Sequence, residues 1–322
     1  MAEELGRHSV IAAVDIGGTK IAVGMVDDGG RVLSRAQCPT DPEGGYRAAC
    51  ARIEHMLRET SQAAGEKITG IGIGSTGPID PFIGKFGEVN FFPNWRGENL
   101  VSDLGQAFQV TAAMENDADA AALGEAGWGA GQNRTRLIYV TIGTGIGVGA
   151  IFDGRLYRGV DGAHPEIGHC VIDASGPPCC CGFNGCWESL AAGPAMVSWL
   201  ENNMPADYPH RANLTAKRIC ELAQAGDDLA RRAVGREAHY LGLGLANLVT
   251  LFTPDAIVLG GSVMNSADLF LDGIRSAIHR CCRLVPFEKT ELTLASLGED
   301  ANLIGAARVW YHRFHPDGGQ RA

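Results

Sequence analysis

Short apolar runs alternate with stretches of helical period along almost the whole chain. Residues 10–16, VIAAVDI, are apolar, partly β-branched and end in an acid, the pattern of a buried strand. GGTK at 17–20 follows, then IAVGMVD, the turn DDGG and RVL, which predicts a strand, a glycine turn and returning strands. Between 45 and 64, Tyr46, Ala49, Ile53, Met56 and Leu57 recur at helical spacing. ITGIGIGSTGPID reads as another buried strand that runs into a loop continuing through FFPNWRGENL. VTAAMEND is a short strand, with ADAAALGEAGWGAG a helix behind it. Residues 188–202, 215–225, 227–252 and 301–313 read as helices, and TPDAIVLGGSV and ELTLASLG as strands. The tail HPDGGQRA reads as disordered. Strand and helix patterns in this alternation predict an α/β fold.

The stretch 137–156, LIYVTIGTGIGVGAIFDGRL, matches the dinucleotide pattern G-x-G-x-x-A at Gly145, Gly147 and Ala150. A second strand, not a helix, follows those glycines, which excludes that reading. The better match is internal. A shift of 126 residues (140 − 14) lays Val14, Ile16, Gly17 and Asp27 on Val140, Ile142, Gly143 and Asp153. The strand–glycine turn–strand pattern thus occurs twice, which predicts two related domains facing each other. Each hairpin then offers backbone amides to one shared phosphate chain, with Thr19 and Lys20 adding a hydroxyl and a charge. Taken singly, either turn is equally an ordinary glycine hairpin.

Two further places carry candidate chemistry. Asn116 and Asp117 fall where a strand ends and a helix starts, so they are either a helix cap or a carboxylate poised at a cleft beside an orienting amide. Asn94 and Trp95 lie in a loop, where amides and aromatics line sugar sites, although a Trp packed on its own domain is more common. Gly260-Gly261 ends a buried strand, where backbone can approach a nucleotide.

Residues 169–188, HCVIDASGPPCCCGFNGCWE, hold one imidazole and three well-spaced thiols: His169, Cys179, Cys181 and Cys186. These make a complete tetrahedral set for a structural zinc, with Gly182 and Gly185 supplying the tight turn. Cys180 reads as a bystander, and a disulfide or free-thiol loop is the alternative. Glu166 and Glu188 flank the knot. Fixed carboxylates accept paired hydrogen bonds from a polyhydroxyl ligand, whereas unfixed ones are merely solvated.

Composition narrows the partners. A net charge of −10 argues against nucleic acid. No apolar run reaches the roughly 20 residues that span a bilayer, and MAEELGRHSV does not resemble a signal peptide. The remaining six of the ten cysteines are scattered, which fits reduced thiols in the cytoplasm.

Together, DIGGTK at 15–20, NDADAAALGE at 116–125, GTGIGVG at 143–149, PEIGH at 165–169, CCCGFNGCWE at 179–188 and PDAIVLGGSV at 254–263 resemble the ROK family of repressors, uncharacterised reading frames and sugar kinases. The resemblance implies an actin-like fold (the sugar kinase/Hsp70/actin, ribonuclease H-like class) with two α/β domains and a central cleft. The expected division is a small domain of residues 1–115 plus 302–318, and a large one of 116–301 carrying the zinc loop 169–186. It implies ATP with Mg²⁺ as cofactors, a homodimer or homotetramer, and transfer of the γ-phosphate to the 6-hydroxyl of glucose. Asp117 resembles the catalytic base. Asn94, Asn116, Glu166, His169 and Glu188 are expected sugar contacts, with His169 also a zinc ligand. Gly17, Gly18, Thr19, Lys20, Thr144, Gly145, Gly260 and Gly261 resemble the nucleotide-binding segments, and Asp15 is placed to hold a water of the Mg²⁺ shell. One departure is His164-Pro165 before Glu166, where glucokinase-like members carry small residues; it bears on sugar preference. The rival enzyme is an N-acetylmannosamine or N-acetylglucosamine kinase. The rival of another class is a sugar-sensing repressor, which needs a DNA-binding domain ahead of a core that here starts 14 residues in.

Overall fold

The computed structural model describes residues 9–89 and 91–315. The chain runs through β1 (Ile11–Ile16), β2 (Lys20–Val26), β3 (Val32–Pro39), α1 (Gly45–Ala64), β4 (Ile71–Ser75), β5 (Ile79–Asp80), β6 (Lys85–Phe86), α2 (Leu100–Phe108), β7 (Ala112–Asn116) and α3 (Asp117–Trp128). It continues through β8 (Arg136–Ile142), β9 (Ile146–Phe152), β10 (Arg155–Leu156), α4 (Trp187–Ala191), α5 (Gly193–Asn203), α6 (Ala216–Gln224), α7 (Asp228–Phe252), β11 (Ala256–Gly260), α8 (Leu271–Cys281), β12 (Glu291–Leu294) and α9 (Ala301–Phe314).

Two five-stranded sheets have the same plan. The first runs β3-β2-β1-β4-β7 and the second β10-β9-β8-β11-β12. In the first, β1 is antiparallel to β2 and parallel to β4, and β4 is parallel to β7. In the second, β11 is parallel to both β8 and β12. The repeat read from two glycine hairpins therefore extends over whole sheets.

Burial explains why β1 reads as continuously apolar. Ala12, Val14 and Ile16 pack with Tyr46, Ala49 and Ile53 of α1. Ile11 and Ala13, on the other face, pack with Leu303, Ala306 and Trp310 of α9. Alternate residues of a strand point to opposite faces, so a strand covered on both sides must be apolar throughout. Burying each Ile contributes about 1.5–3 kcal/mol.

The described chain forms two compact units. One takes residues up to Thr135, Gly149–Pro165 and those from Ala295 onward; the other takes Arg136–Val148 and Glu166–Leu294. The sequence placed the change at Asn116, but α3 groups with the first unit. Its Gly124 faces Gly305 of α9 so closely that a Cβ at either position would meet the other helix's backbone. Glu125, fully buried, adds to this: its carboxylate accepts from the amides of Ala130 (2.7 Å), Ser296 (3.0 Å) and Leu297 (3.1 Å).

Two helices escape the sequence reading, α2 and α8. Asn99 caps α2 by accepting from Ser102 N at 2.9 Å, while only Leu100 and Leu104 are buried, too few apolar positions to stand out. The helix predicted over 188–202 breaks at Ala192, whose extended backbone (φ −92, ψ 164) precedes Gly193-Pro194. Proline cannot continue a helix from its interior but starts a new one well. Of the tail predicted as disordered, His315 still donates its amide to Tyr311 O at 2.8 Å, and residues 316–322 lie outside the described residues. No helix among the described residues is long and apolar enough to cross a membrane.

Candidate active site

The first unit holds Asp15, the Gly17–Lys20 turn, Asn94, Asn116 and Asp117. Asn116 is the last residue of β7 and Asp117 the first of α3. The capping alternative read from the sequence is met. The Asn116 carboxamide oxygen accepts from Ala118 N at 2.9 Å, and Asp117 Oδ1 accepts from the same amide at 2.8 Å. Asn116 therefore caps α3, and Asp117 is the first residue of that helix. Asp117 is only half-buried, and so remains reachable.

Asp15, itself buried, is the last residue but one of β1. Burial, and then the nearby charge of Asp117, push its carboxyl up to about 7, against the opposing effects of an Asn302 hydrogen bond and of Lys20. It lines a polar cavity of about 200 Å³ with Lys20, Arg35, Asp300 and Asn302. Carboxylates, a carboxamide and a lysine around a cavity of that size suit a hydrated divalent cation and phosphate oxygens. The adjoining turn is closed by Gly17 N donating to Lys20 O at 2.9 Å. Thr40 buttresses it, its hydroxyl donating to Gly17 O at 2.7 Å.

Asn94 is exposed. Its neighbour Trp95 is not a ligand contact: it is fully buried, stacked on Phe92 with ring centroids 4.5 Å apart and set edge-on to Tyr46 and Phe86. Trp95 anchors the loop that presents Asn94.

Sequence reasoning missed the ionic support under β7. Glu115, one residue before Asn116, is buried and held by a bidentate contact from Arg158 and by Arg313 Nη2 at 3.3 Å. Burial pushes its carboxyl up, and Arg158 opposes that. Asp119, two residues after Asp117, accepts from or donates to His164 Nδ1 at 2.8 Å, both side chains being nearly inaccessible. The unusual His164 of the sequence is thus explained by a buried partner in α3. An acidic residue inside an otherwise apolar strand was the available signal for Glu115.

The second unit holds Thr144, Gly145, Glu166, His169, the thiol loop, Glu188 and Gly260-Gly261. His169 closes a short 3₁₀ turn, Ile167–His169, that starts at the exposed Glu166. Its Nδ1 lies 3.4 Å from Cys179 Sγ, and Cys181 Sγ lies 3.4 Å from Cys186 Sγ. One ligand atom from each of these four residues falls within 4.8 Å of all the others. A tetrahedral zinc with bonds of about 2.0–2.3 Å spaces its ligands about 3.5–3.8 Å apart, so this donor set fits the ion. Gly182 and Gly185 have φ of 92° and 69°, as the tight turn requires.

Glu188 follows at the first turn of α4. Its Oε2 accepts from Ile146 N at 2.9 Å, the amide just after Gly145. The glycine hairpin therefore orients this carboxylate, a link the sequence did not reveal. A Cβ at Gly145 would collide with that carboxylate. Gly145 is needed for Glu188, whatever its dealings with phosphate. Gly260 and Gly261 likewise have local reasons to be glycine: a Cβ at Gly260 would meet the Tyr139 ring, and Gly261 has φ 88° and backs onto Ile142. Thr144 is exposed at the hairpin tip. By contrast, Gly18 lies outside the left-handed region, and a Cβ there would come 3.0 Å from the exposed Phe91 ring.

The ROK family model matches residues 11–313. The chain is 35% identical over 311 residues to a glucokinase of Streptomyces coelicolor, covering 91% of this chain and 95% of that protein. It is 35% identical over 264 residues to the xylose repressor of Bacillus subtilis, covering 81% of this chain and 66% of the repressor. A ROK family glucokinase from Streptomyces griseus, solved in complex with glucose and AMPPNP, aligns with a TM-score of 0.81 at 34% identity, covering 94% of this chain and 100% of that one. With a family match over nearly its whole length and relatives above 30% identity, the chain belongs to the ROK family.

Proposed function

We propose that this protein is an ATP-dependent kinase that phosphorylates the 6-hydroxyl of glucose. The observation that carries the reading is the half-buried Asp117 at the β7–α3 junction, beside Asn116 and electrostatically coupled to Asp15. It occurs in a chain that aligns along 94% of its length with a glucokinase bound to glucose and AMPPNP.

Asp117 is the general base. Held by Ala118 N through one oxygen, it accepts the 6-hydroxyl proton as that oxygen attacks the γ-phosphorus. Asn116 orients the sugar, while Glu166, His169 and Glu188 accept or donate hydrogen bonds to its other hydroxyls, as does Asn94 from its loop. With Nδ1 turned to Cys179, His169 offers Nε2 to the sugar. The turn at Gly17–Lys20, Thr144-Gly145 and Gly260-Gly261 bind the nucleotide, where backbone amides and the Lys20 charge oppose the phosphate charge. Mg²⁺ arriving with ATP would neutralise the developing charge on the phosphates, and Asp15 would hold a water of its shell. Zinc at His169, Cys179, Cys181 and Cys186 is structural: its four protein ligands leave no position for a substrate.

A coupled assay of ADP release over hexoses and N-acetylhexosamines tests this reading. Glucose should stimulate release most strongly. Stimulation by none of the sugars would remove the kinase assignment, and a clear preference for N-acetylmannosamine or N-acetylglucosamine would move the substrate class.

A further inference from the structure

Cys180 is the one thiol of the cluster that the zinc knot leaves over. It is exposed, while a second set of potential ligands, His169, Cys179, Cys180 and Glu188, meets the same spacing as the first, all four atoms lying within 4.8 Å of one another. The two sets share His169 and Cys179 and differ in exchanging Cys181 and Cys186 for Cys180 and Glu188.

Glu188 is already posed for this. Ile146 N fixes Oε2 at 2.9 Å, which turns Oε1 toward Cys180 Sγ, 4.0 Å away. That spacing is too long for a strong hydrogen bond. It is near the edge between a thiolate and a carboxylate on one tetrahedral ion, about 3.5 Å for bonds of about 2.3 and 2.0 Å. With His169 held by the first ion, the two sulfurs of Cys179 and Cys180 and one carboxylate oxygen form a donor set that selects thiophilic divalent ions over Mg²⁺ or Ca²⁺.

We propose that Cys180 and Glu188, with Cys179 as a shared corner, form a second site for a thiophilic divalent cation such as cadmium or excess zinc, and that filling it withdraws Glu188 from the sugar. The site stands on the geometry alone; its consequence for the sugar rests on the reading of Glu188 as a sugar contact. Coordination occupies Oε1, the oxygen not committed to Ile146. A hydroxyl that hydrogen-bonded a charged carboxylate then loses that partner, while Asp117, carried on a different element, is untouched. The expected signature is a higher KM for glucose with kcat retained.

The test titrates cadmium into the zinc-loaded wild type and Cys180→Ala. It reads cadmium–thiolate charge-transfer absorbance, bound-metal stoichiometry and the KM for glucose. The wild type should bind one cadmium more than Cys180→Ala, and its KM should rise about tenfold, the loss of a charge-assisted hydrogen bond. Cys180→Ala should show neither change and keep normal kinetics without cadmium. Equal extra binding in the two proteins overturns the site. Extra binding that depends on Cys180 but lowers kcat rather than raising KM overturns the effect on the sugar. The stoichiometry decides the site even if no hexose is phosphorylated, so failure of the kinase reading remains distinguishable.

Discussion

The carboxylate of Asp117 and that of Glu188 illustrate two ways of fixing a side chain in one molecule. Asp117 sits where a buried parallel strand becomes a helix, and buried side-chain pairings hold that junction. Glu115 is gripped by Arg158 and Arg313, Asp119 pairs with His164, and Glu125 ties α3 to the segment before α9. Glu188 instead follows a long irregular loop that is pinned by its own backbone hydrogen bonds and gathers four sulfur and nitrogen donors within 4.8 Å of one another, and its carboxylate accepts from Ile146 N. The first arrangement depends on packing and buried charge; with the proposed zinc bound, the second depends on ligand chemistry as well. Substitutions in the two regions should therefore fail differently.

The largest difference is expected at Asp117 itself. Asp117→Asn keeps the shape and the bond to Ala118 N, so glucose affinity measured by titration should stay near normal. The kcat should fall by about 10²–10⁴, the usual contribution of a positioned base. Near-normal turnover would reduce Asp117 to a helix-terminal residue.

Much of this contrast was legible in the sequence. Strand β1, helix α1, the β7–α3 junction and the thiol spacing all follow from local pattern, because each is specified by residues close together in the chain. The supports were not. Glu115 meets Arg158 and Arg313 across 43 and 198 residues, and Glu188 meets Ile146 across 42. Pairings at such separations leave no periodic trace. The division near Asn116 differed from the observed one for the same reason: α3 is claimed by α9, far along the chain. Trp95 was read as a candidate contact since a loop aromatic looks alike whether it faces a ligand or its own core.

Next in size is the thiol loop. Cys181→Ser should release the metal, so the melting temperature and the glucose affinity should fall together, while Cys180→Ser should leave both as they are. Metal analysis of the purified variants decides between ligand sets: zinc missing from the Cys180 variant alone would reverse the assignment.

The two glycine hairpins sharpen the comparison further, since their sequence symmetry is not matched by their surroundings. Gly145→Val drives a side chain into Glu188 and should weaken glucose binding as well as nucleotide use. Gly18→Val meets only the exposed Phe91 ring, so its effect should be smaller and confined to the KM for ATP and to kcat. Parallel titrations with glucose and an ATP analogue check this. Equal loss of sugar binding in both variants would contradict the distinct roles given to the two turns.

The smallest effect concerns pH. Asp15 has a carboxyl raised from 3.8 to about 7 in the folded protein. The folded state then holds a proton that the unfolded state gives up, so stability falls as pH rises through that window and levels off above it. Asp15→Asn should flatten the decline of melting temperature between pH 4 and 7, measured without nucleotide or Mg²⁺. An unchanged slope would mean that Asp15 is not the group responsible.

The central claim is that ATP and glucose are converted to ADP and a sugar phosphorylated at its 6-hydroxyl. Phosphorus NMR of the reaction mixture tests it most directly. The account predicts glucose 6-phosphate and ADP in equal amounts, with the sugar phosphate signal lost in Asp117→Asn. ADP and inorganic phosphate without a sugar phosphate, or a phosphate on another hydroxyl, would contradict it.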